Sequence, residues 1–174
     1  MLRSIRWEDS VEWLSKSFAG EGAFILANKP GGGTNPMTIG WGQVGIVWGK
    51  PIFSAFVRTS RYTHECLQQT QSFTISVPRP GELTDALMIC GTKSGRDLDK
   101  VEACKLELQP SQTVDTPIIG QCGLHYECSI LVRSQLEPSD LSDERVKKFY
   151  QEIDLHQILL GEIEAVYVTR ELGA

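Results

Sequence analysis

The chain has 174 residues, 41% of them hydrophobic and 22% charged, with a formal net charge of −5 at pH 7. That is the profile of a soluble globular domain able to bury a core without disulfide or metal staples. The acidic balance argues against nucleic-acid binding, which needs a basic face, and no run of about 18 apolar residues is present to span a membrane.

The charged N-terminus "MLRSIRWEDSVEWL" lacks the apolar core of a signal peptide. Five cysteines (Cys66, Cys90, Cys104, Cys122 and Cys128), odd in number and with no Cys-x-x-Cys pair, fit a reducing cytoplasm better than a disulfide framework. Cytoplasmic residence is the expectation.

In chain order, "WEDSVEWLSKSF" spaces Trp7, Val11 and Leu14 as a short amphipathic helix, with acids early and Lys16 late. "AFILA" reads as a buried strand and "NKPGGGTNP" as a loop. "MTIGWGQVGIVW" and "IFSAFV" form two strand-like runs, joined at Gly49-Lys50-Pro51 into an antiparallel hairpin. Four glycines between Gly40 and Gly49 mark a bend, a bulge or a ligand close to the backbone.

"RYTHECLQQT" predicts a short helix with Tyr62, Cys66 and Leu67 inward. "SFTISVP" is a strand closed by Pro78, and "GELTDALMICG" a helix running into the polar loop "TKSGRDLDK". "YECSILVRSQLEP" is a strand, "ERVKKFYQEI" a brief helix, and "HQILLGEIEAVYVTREL" a long closing strand bent near Gly161. No repeat or domain boundary interrupts residues 1–174, so one domain is expected. The alternation of β-runs with Gly and Pro punctuation, and short helices between, predicts a mainly β fold, a barrel with helical insertions.

Two stretches carry chemistry. In "VRTSRYT", Arg58 and Arg61 stand where a strand gives way to a helix, with Ser60 as the expected N-cap. Cations in a first turn oppose the helix dipole unless an anion sits there, held by free N–H groups, hydroxyls and arginine. Solvated surface charge is the alternative reading of the same pair. "CGTKSGRDLDK", Cys90–Lys100, offers two glycines, two hydroxyls and three cations, yet matches neither a Walker loop nor a dinucleotide fingerprint. It also reads as an exposed polar loop.

Cys122, His125 and Cys128 stand at intervals of three. On a strand the two cysteines would face away from the histidine, so no metal site is expected. No Gly-x-Ser-x-Gly elbow supports a serine hydrolase. His156 is a candidate proton donor or ligand contact, and a structural histidine is the alternative. Asp154 would share its face.

"NPMTIGWGQVGIVWGKPIFSAFVRTSRYT", "CGTKSGRDLDK" and "DLHQILLGEI" together resemble the flavin reductase-like family, from about Ala23 to Val168 and in the family's order. The resemblance implies a Greek-key FMN-binding split β-barrel. It places Thr38, Ile39, Gly40 and Trp41 beside the flavin ring, and Phe56, Val57 and Arg58 along its polar edge or ribityl chain. It assigns Ser60, Arg61, Tyr62 and Thr63 to the FMN phosphate, and a closing loop to Cys90, Gly91, Thr92, Lys93, Ser94 and Gly95, with Lys100. His156 and Gly161 keep the spacing of a family Gly-Asp-His-x-x-x-x-Gly pattern, which makes His156 the catalytic candidate, although Asp154-Leu155 replaces Gly-Asp.

The implied activity is NAD(P)H-dependent reduction of flavin, with electrons passing on to free flavin or another small acceptor. Lys93 or Lys100, or backbone N–H groups, would stabilise charge near the ring. A flavoredoxin-like carrier serving a redox protein partner and a non-catalytic flavin binder are the alternatives. The resemblance also implies a homodimer.

Overall fold

The computed structural model describes residues 2–150 and 154–169. Its strands are β1 (Arg3–Ser4), β2 (Ala23–Asn28), β3 (Thr34–Ile39), β4 (Gly42–Val47), β5 (Lys50–Arg58), β6 (Ser72–Val77), β7 (Leu108–Gln109), β8 (Ile118–Ile119), β9 (Leu124–Gln135) and β10 (His156–Val168). The helices are α1 (Val11–Ala19), α2 (Tyr62–Gln69), α3 (Thr84–Thr92), α4 (Lys100–Ala103) and α5 (Glu144–Lys147). No helix among the described residues is long and apolar enough to cross a membrane.

Eight strands form one antiparallel sheet in the order β3-β2-β6-β9-β10-β5-β4, with β1 added to the far end of β10. The sheet curls around one core. Ile25 of β2, Met37 and Ile39 of β3, Phe53 and Val57 of β5, Phe73 of β6, Tyr126 of β9 and Leu159 of β10 meet in a single buried cluster, with Val44 of β4 packed against it. The two edge strands β3 and β4 both reach that cluster but, among the described residues, pair only with β2 and β5 respectively. The barrel is therefore split along the β3/β4 seam, with Gly40-Trp41 as the link.

The uninterrupted apolar run in β2 follows from burial on both faces. Ala23, Ile25 and Ala27 point into the barrel, whereas Phe24 and Leu26 point out into a second cluster with Ala86, Leu87 and Cys90 of α3, Ile119 and Cys122. That outer cluster fixes α3, and with it the start of the 93–99 loop, against the seam.

Several expectations shift. Residues 37–48 form two strands, and β3 already begins at Thr34, inside the stretch read as loop. The hairpin turns at Trp48-Gly49, both with positive φ (53° and 72°), so Lys50 and Pro51 belong to β5. That two-residue geometry suits the twist of paired strands. Val11 is exposed, and α1 buries Leu14 with Trp13 and Phe18 beside it. The bend at Gly161 is present as a register shift against β9 between Leu160 and Gly161. Of "ERVKKFYQEI", α5 and a 3-10 turn at Lys148–Tyr150 form, and Gln151–Ile153 lie outside the described residues. So do the last residues of the closing stretch, from Arg170 on.

Candidate functional site: two clefts joined at Arg61

Where β3 ends at the seam, a cleft of about 220 Å³ opens, lined by Met37, Thr38, Ile39, Gly40, Trp41, Phe56, Arg58, Arg61, Gly91 and His156. The register sets this gathering: His156 at the start of β10 pairs with Arg58 at the end of β5. A Cβ added at Gly40 would meet nothing within 4 Å, whereas one at Gly42 would press on the Phe18 ring and the Ser54 carbonyl. Of the glycines read as a possible ligand floor, Gly40 borders the cleft and Gly42 serves core packing.

Aromatic rings crowd one wall. The Trp41 indole lies 4.9 Å from the His156 imidazole, and Phe149 meets Trp41 edge-on at 5.6 Å. Tyr150 Oη is 3.0 Å from His156 Nδ1. Burial lowers the His156 pKa to about 4, the Arg58 guanidinium pushes the same way, and Asp154 opposes them more weakly. His156 is thus neutral at pH 7. Arg58 donates to the carbonyls of Asp154 (2.6 Å) and Phe149 (2.9 Å) and lies over the Tyr150 ring. It fastens the chain entering β10 to the end of β5.

A second, polar cleft of about 180 Å³ is lined by Ser60, Arg61, Tyr62, Thr63, Thr92, Lys93, Ser94, Gly95, Arg96 and Lys100. Arg61 lines both clefts. Its Nη2 donates to the Gly91 carbonyl at 2.5 Å, and Lys100 Nζ donates to the Cys90 carbonyl at 3.5 Å. Two successive carbonyls at the end of α3 therefore hold the two cations. Asp99 caps α4 by accepting from the N–H groups of Val101 and Glu102, which sets Lys100 at the first helical position.

Lys100 is 3% exposed, yet no carboxylate pairs with it, with Arg61 or with Lys93 among the described residues. Burial lowers the Lys100 pKa, the thiol of Cys90 acts against that shift, and Arg61 adds to it. Buried charges are ordinarily paired, whereas Arg61 and Lys100 meet only backbone carbonyls among the described residues, with the Thr92 and Ser94 hydroxyls lining the same cleft.

The structure brings nearly all the sequence-predicted residues to these two clefts. Val57 and Cys90 are the exceptions. Val57 points into the barrel core because it alternates with Phe56 and Arg58, and the Cys90 side chain is buried in the outer cluster. Ser60 is not the N-cap of α2. Arg61 occupies that position, and the Ser60 hydroxyl instead donates to Asp154 Oδ2 at 2.7 Å. The Thr63 hydroxyl is buried and accepts from Asn35 Nδ2 at 2.7 Å. His125 Nε2 donates to the Cys122 carbonyl and its Nδ1 accepts from the Ser76 hydroxyl, while Cys128 sits in the barrel core.

Sequence reasoning did not single out Met37, Arg96, Phe149 or Tyr150. Arg96 stands inside the quoted loop; it stacks on Tyr62 and pairs with Glu65. Met37 directly precedes the predicted ring segment, but nothing local marked Tyr150 as the partner of His156.

The match to known proteins follows the same geometry. Residues 15–174 match the model of the flavin reductase like domain, and the chain belongs to that family. Its fold is the family's split β-barrel, found among flavin-related oxidoreductases. The structure is similar to flavoredoxin of Desulfovibrio vulgaris (Miyazaki F), with 22% identity, 84% of this chain and 68% of that one covered, and a TM-score of 0.66. It is also similar to flavoredoxin from Methanosarcina acetivorans (26%, 83% and 66%, TM-score 0.65). Nitrilotriacetate monooxygenase component B from Bacillus cereus is a third (14%, 99% and 84%, TM-score 0.70). An uncharacterized protein of Archaeoglobus fulgidus is 31% identical over 97 residues, 56% of this chain and about half (54%) of that protein.

Proposed function

We propose that this chain binds FMN across the joined clefts and is an NAD(P)H-dependent oxidoreductase, delivering electrons to free flavin or another small acceptor. The observation that carries the reading is Lys100: a buried ammonium with no carboxylate partner among the described residues, beside Arg61, at the polar end of an aromatic cleft. A planar ring with a phosphate tail has those two requirements at that separation of character, apolar at one end and dianionic at the other. When bound, the flavin supplies the hydride-accepting chemistry.

The chain's own residues bind, orient and exclude water. Arg61, Lys100 and Lys93, with the Ser94 and Thr92 hydroxyls, neutralise and hold the phosphate. Gly40 leaves room for the ring, and Trp41 with Phe56 shields one side of it. His156 contributes a neutral imidazole fixed through Nδ1 by Tyr150. With a pKa near 4 it positions rather than donates a proton at neutral pH. This narrows the catalytic part assigned to it from sequence.

A carrier serving a redox protein partner is the second reading, favoured by the likeness to flavoredoxins and by Trp41, 42% exposed at the cleft. The protein as purified, or loaded with FMN, is mixed with NADH or NADPH without air while its visible spectrum is recorded. Bleaching on nucleotide addition is the expected result. Bleaching with dithionite alone supports the carrier, and a preparation that takes up no FMN refutes both. A homodimer in the cytoplasm completes the proposal; a monomer at micromolar concentration in low-angle scattering would count against the dimer.

A further inference from the structure

Asn35 lines neither cleft, yet it touches the wall of the polar one. It is the second residue of β3, is 1% exposed, and its Nδ2 donates to the Thr63 hydroxyl at 2.7 Å. Thr63 stands in the first turn of α2, is equally buried, and lines the polar cleft. The amide oxygen of Asn35 lies against the 93–99 loop, where a Cβ on Gly95 would strike it and the Tyr62 ring. One buried amide is thus packed between the barrel edge, the start of α2 and the loop bordering the cleft.

The direction of the hydrogen bond gives this contact its meaning. A hydroxyl has one proton to give and two lone pairs that accept. Asn35 takes up a lone pair of Thr63 Oγ1, and among the described residues nothing accepts the Thr63 proton. The Ser60 hydroxyl at the same cleft differs, because its proton is committed to Asp154. A threonine in a helical turn can also bond to a preceding backbone carbonyl, which would draw its proton out of the cleft. With the amide N–H on its oxygen and no such bond made, Thr63 is left as a buried donor without an acceptor, a costly state unless a ligand supplies one.

We propose that Asn35 is a positioning residue that orients the Thr63 hydroxyl as a hydrogen-bond donor to the phosphate of FMN. The inference rests on the function proposed above and adds to it a residue outside both cleft linings. An anion presents acceptors only, so a hydroxyl helps to hold it in one orientation and repels it in the other. Arg61 and Lys100 supply charge but do not set that orientation. Asn35→Asp replaces the donor with an acceptor of the same size. The Thr63 proton then turns to the carboxylate, and its lone pairs face the ligand.

The test is equilibrium binding of FMN and riboflavin to the wild-type chain, Asn35→Ala, Asn35→Asp, Thr63→Val, Thr63→Ser and the double variant Asn35→Ala/Thr63→Val. Riboflavin, which lacks the phosphate, reports whether the rest of the site is intact. In Thr63→Val and in Asn35→Asp the preference for FMN over riboflavin should fall about tenfold or more. Asn35→Ala should lose less, because its Thr63 hydroxyl is free to turn rather than reversed. Thr63→Ser should retain the wild-type preference, and the double variant should be no worse than Thr63→Val alone, since Asn35 acts through that hydroxyl. An unchanged preference in Thr63→Val or Asn35→Asp, or losses that add in the double variant, would overturn the proposal. So would equal losses of both ligands in Asn35→Ala, which mark a purely structural role. Should Asn35→Ala fail to fold, the two Thr63 variants and Asn35→Asp decide alone. A wild-type chain with no preference for FMN refutes the proposed function and this inference together, whereas a preference that survives Thr63→Val refutes the inference only.

Discussion

At the scale of single residues, the site is governed by which charges lack partners. Glu65 pairs with Arg96 and Asp154 with Arg58, whereas Arg61 and Lys100 meet backbone carbonyls and no carboxylate among the described residues. This ranking was only partly legible in the sequence. The hydroxyls and cations of "RTSRYT" and "CGTKSGRDLDK" are contiguous, so their chemistry could be read. Their spending could not, because Ser60 meets Asp154 across 94 positions of the chain. His156 follows the same rule, since the burial and the Tyr150 contact that keep it neutral are made by folding. A neutral His156 predicts a rate of flavin reduction that is insensitive to this group from pH 5.5 to 8. An NMR titration should place its pKa near 4; an inflection near the ordinary 6.5 in both profiles would refute the assignment.

At the scale of elements, periodicity located most strands and helices but not their seams. The sequence marks Gly40 only as a possible bend or bulge within one strand-like run, because the apolar run continues across Gly40-Trp41; the alternation changes phase there, with Met37 and Ile39 inward on β3 and Val44 inward on β4. Gly161 was legible as a bend because a glycine inside a strong strand pattern asks for a reason. The reason is space: a Cβ there would lie 2.6 Å from Phe73 Cε1 and 2.9 Å from Cys128 Cβ. Gly161→Ala should therefore overpack the barrel and lose about 1–3 kcal/mol. Gly45→Ala, where an added Cβ meets nothing within 4 Å, should leave the urea midpoint nearly unchanged. Similar midpoints for the two variants would contradict this account of the bend.

At the scale of the whole molecule, the split barrel carries several buried ionisable groups whose linkage has one sign. His125 and His156 are both lowered by burial to about 4. The unfolded chain therefore binds protons that the folded chain refuses, and stability falls as pH drops from about 6.5 towards 4. Each histidine costs on the order of 2–3 kcal/mol at the bottom of that window. Burial alone would raise Glu127, but hydrogen bonds from Thr113, Tyr167 and the Gln112 and Thr113 N–H groups outweigh it and hold the carboxyl below its ordinary range. Its stabilisation is present above its unfolded pKa and is lost as pH falls through the folded one. Both effects act in the same direction, so urea unfolding should show a steady loss of stability below pH 6.5; a flat profile to pH 4.5 would exclude it. The barrel class itself was legible from the rhythm of β-runs and from the resemblance. The pairing of β6 with β9 and of β9 with β10, which buries these groups, was not, because no local signal encodes long-range register.

The central claim is that the two clefts form one site for a planar ring bearing a phosphate, with Arg61 and Lys100 as its cations. Equilibrium binding of FMN and of riboflavin to the wild-type chain and to Arg61→Ala tests it most directly. FMN should bind the wild type at least about tenfold more tightly than riboflavin, and Arg61→Ala should remove most of that difference while changing riboflavin affinity little. Equal affinities in the wild type, or equal losses for both ligands in the variant, would contradict the account.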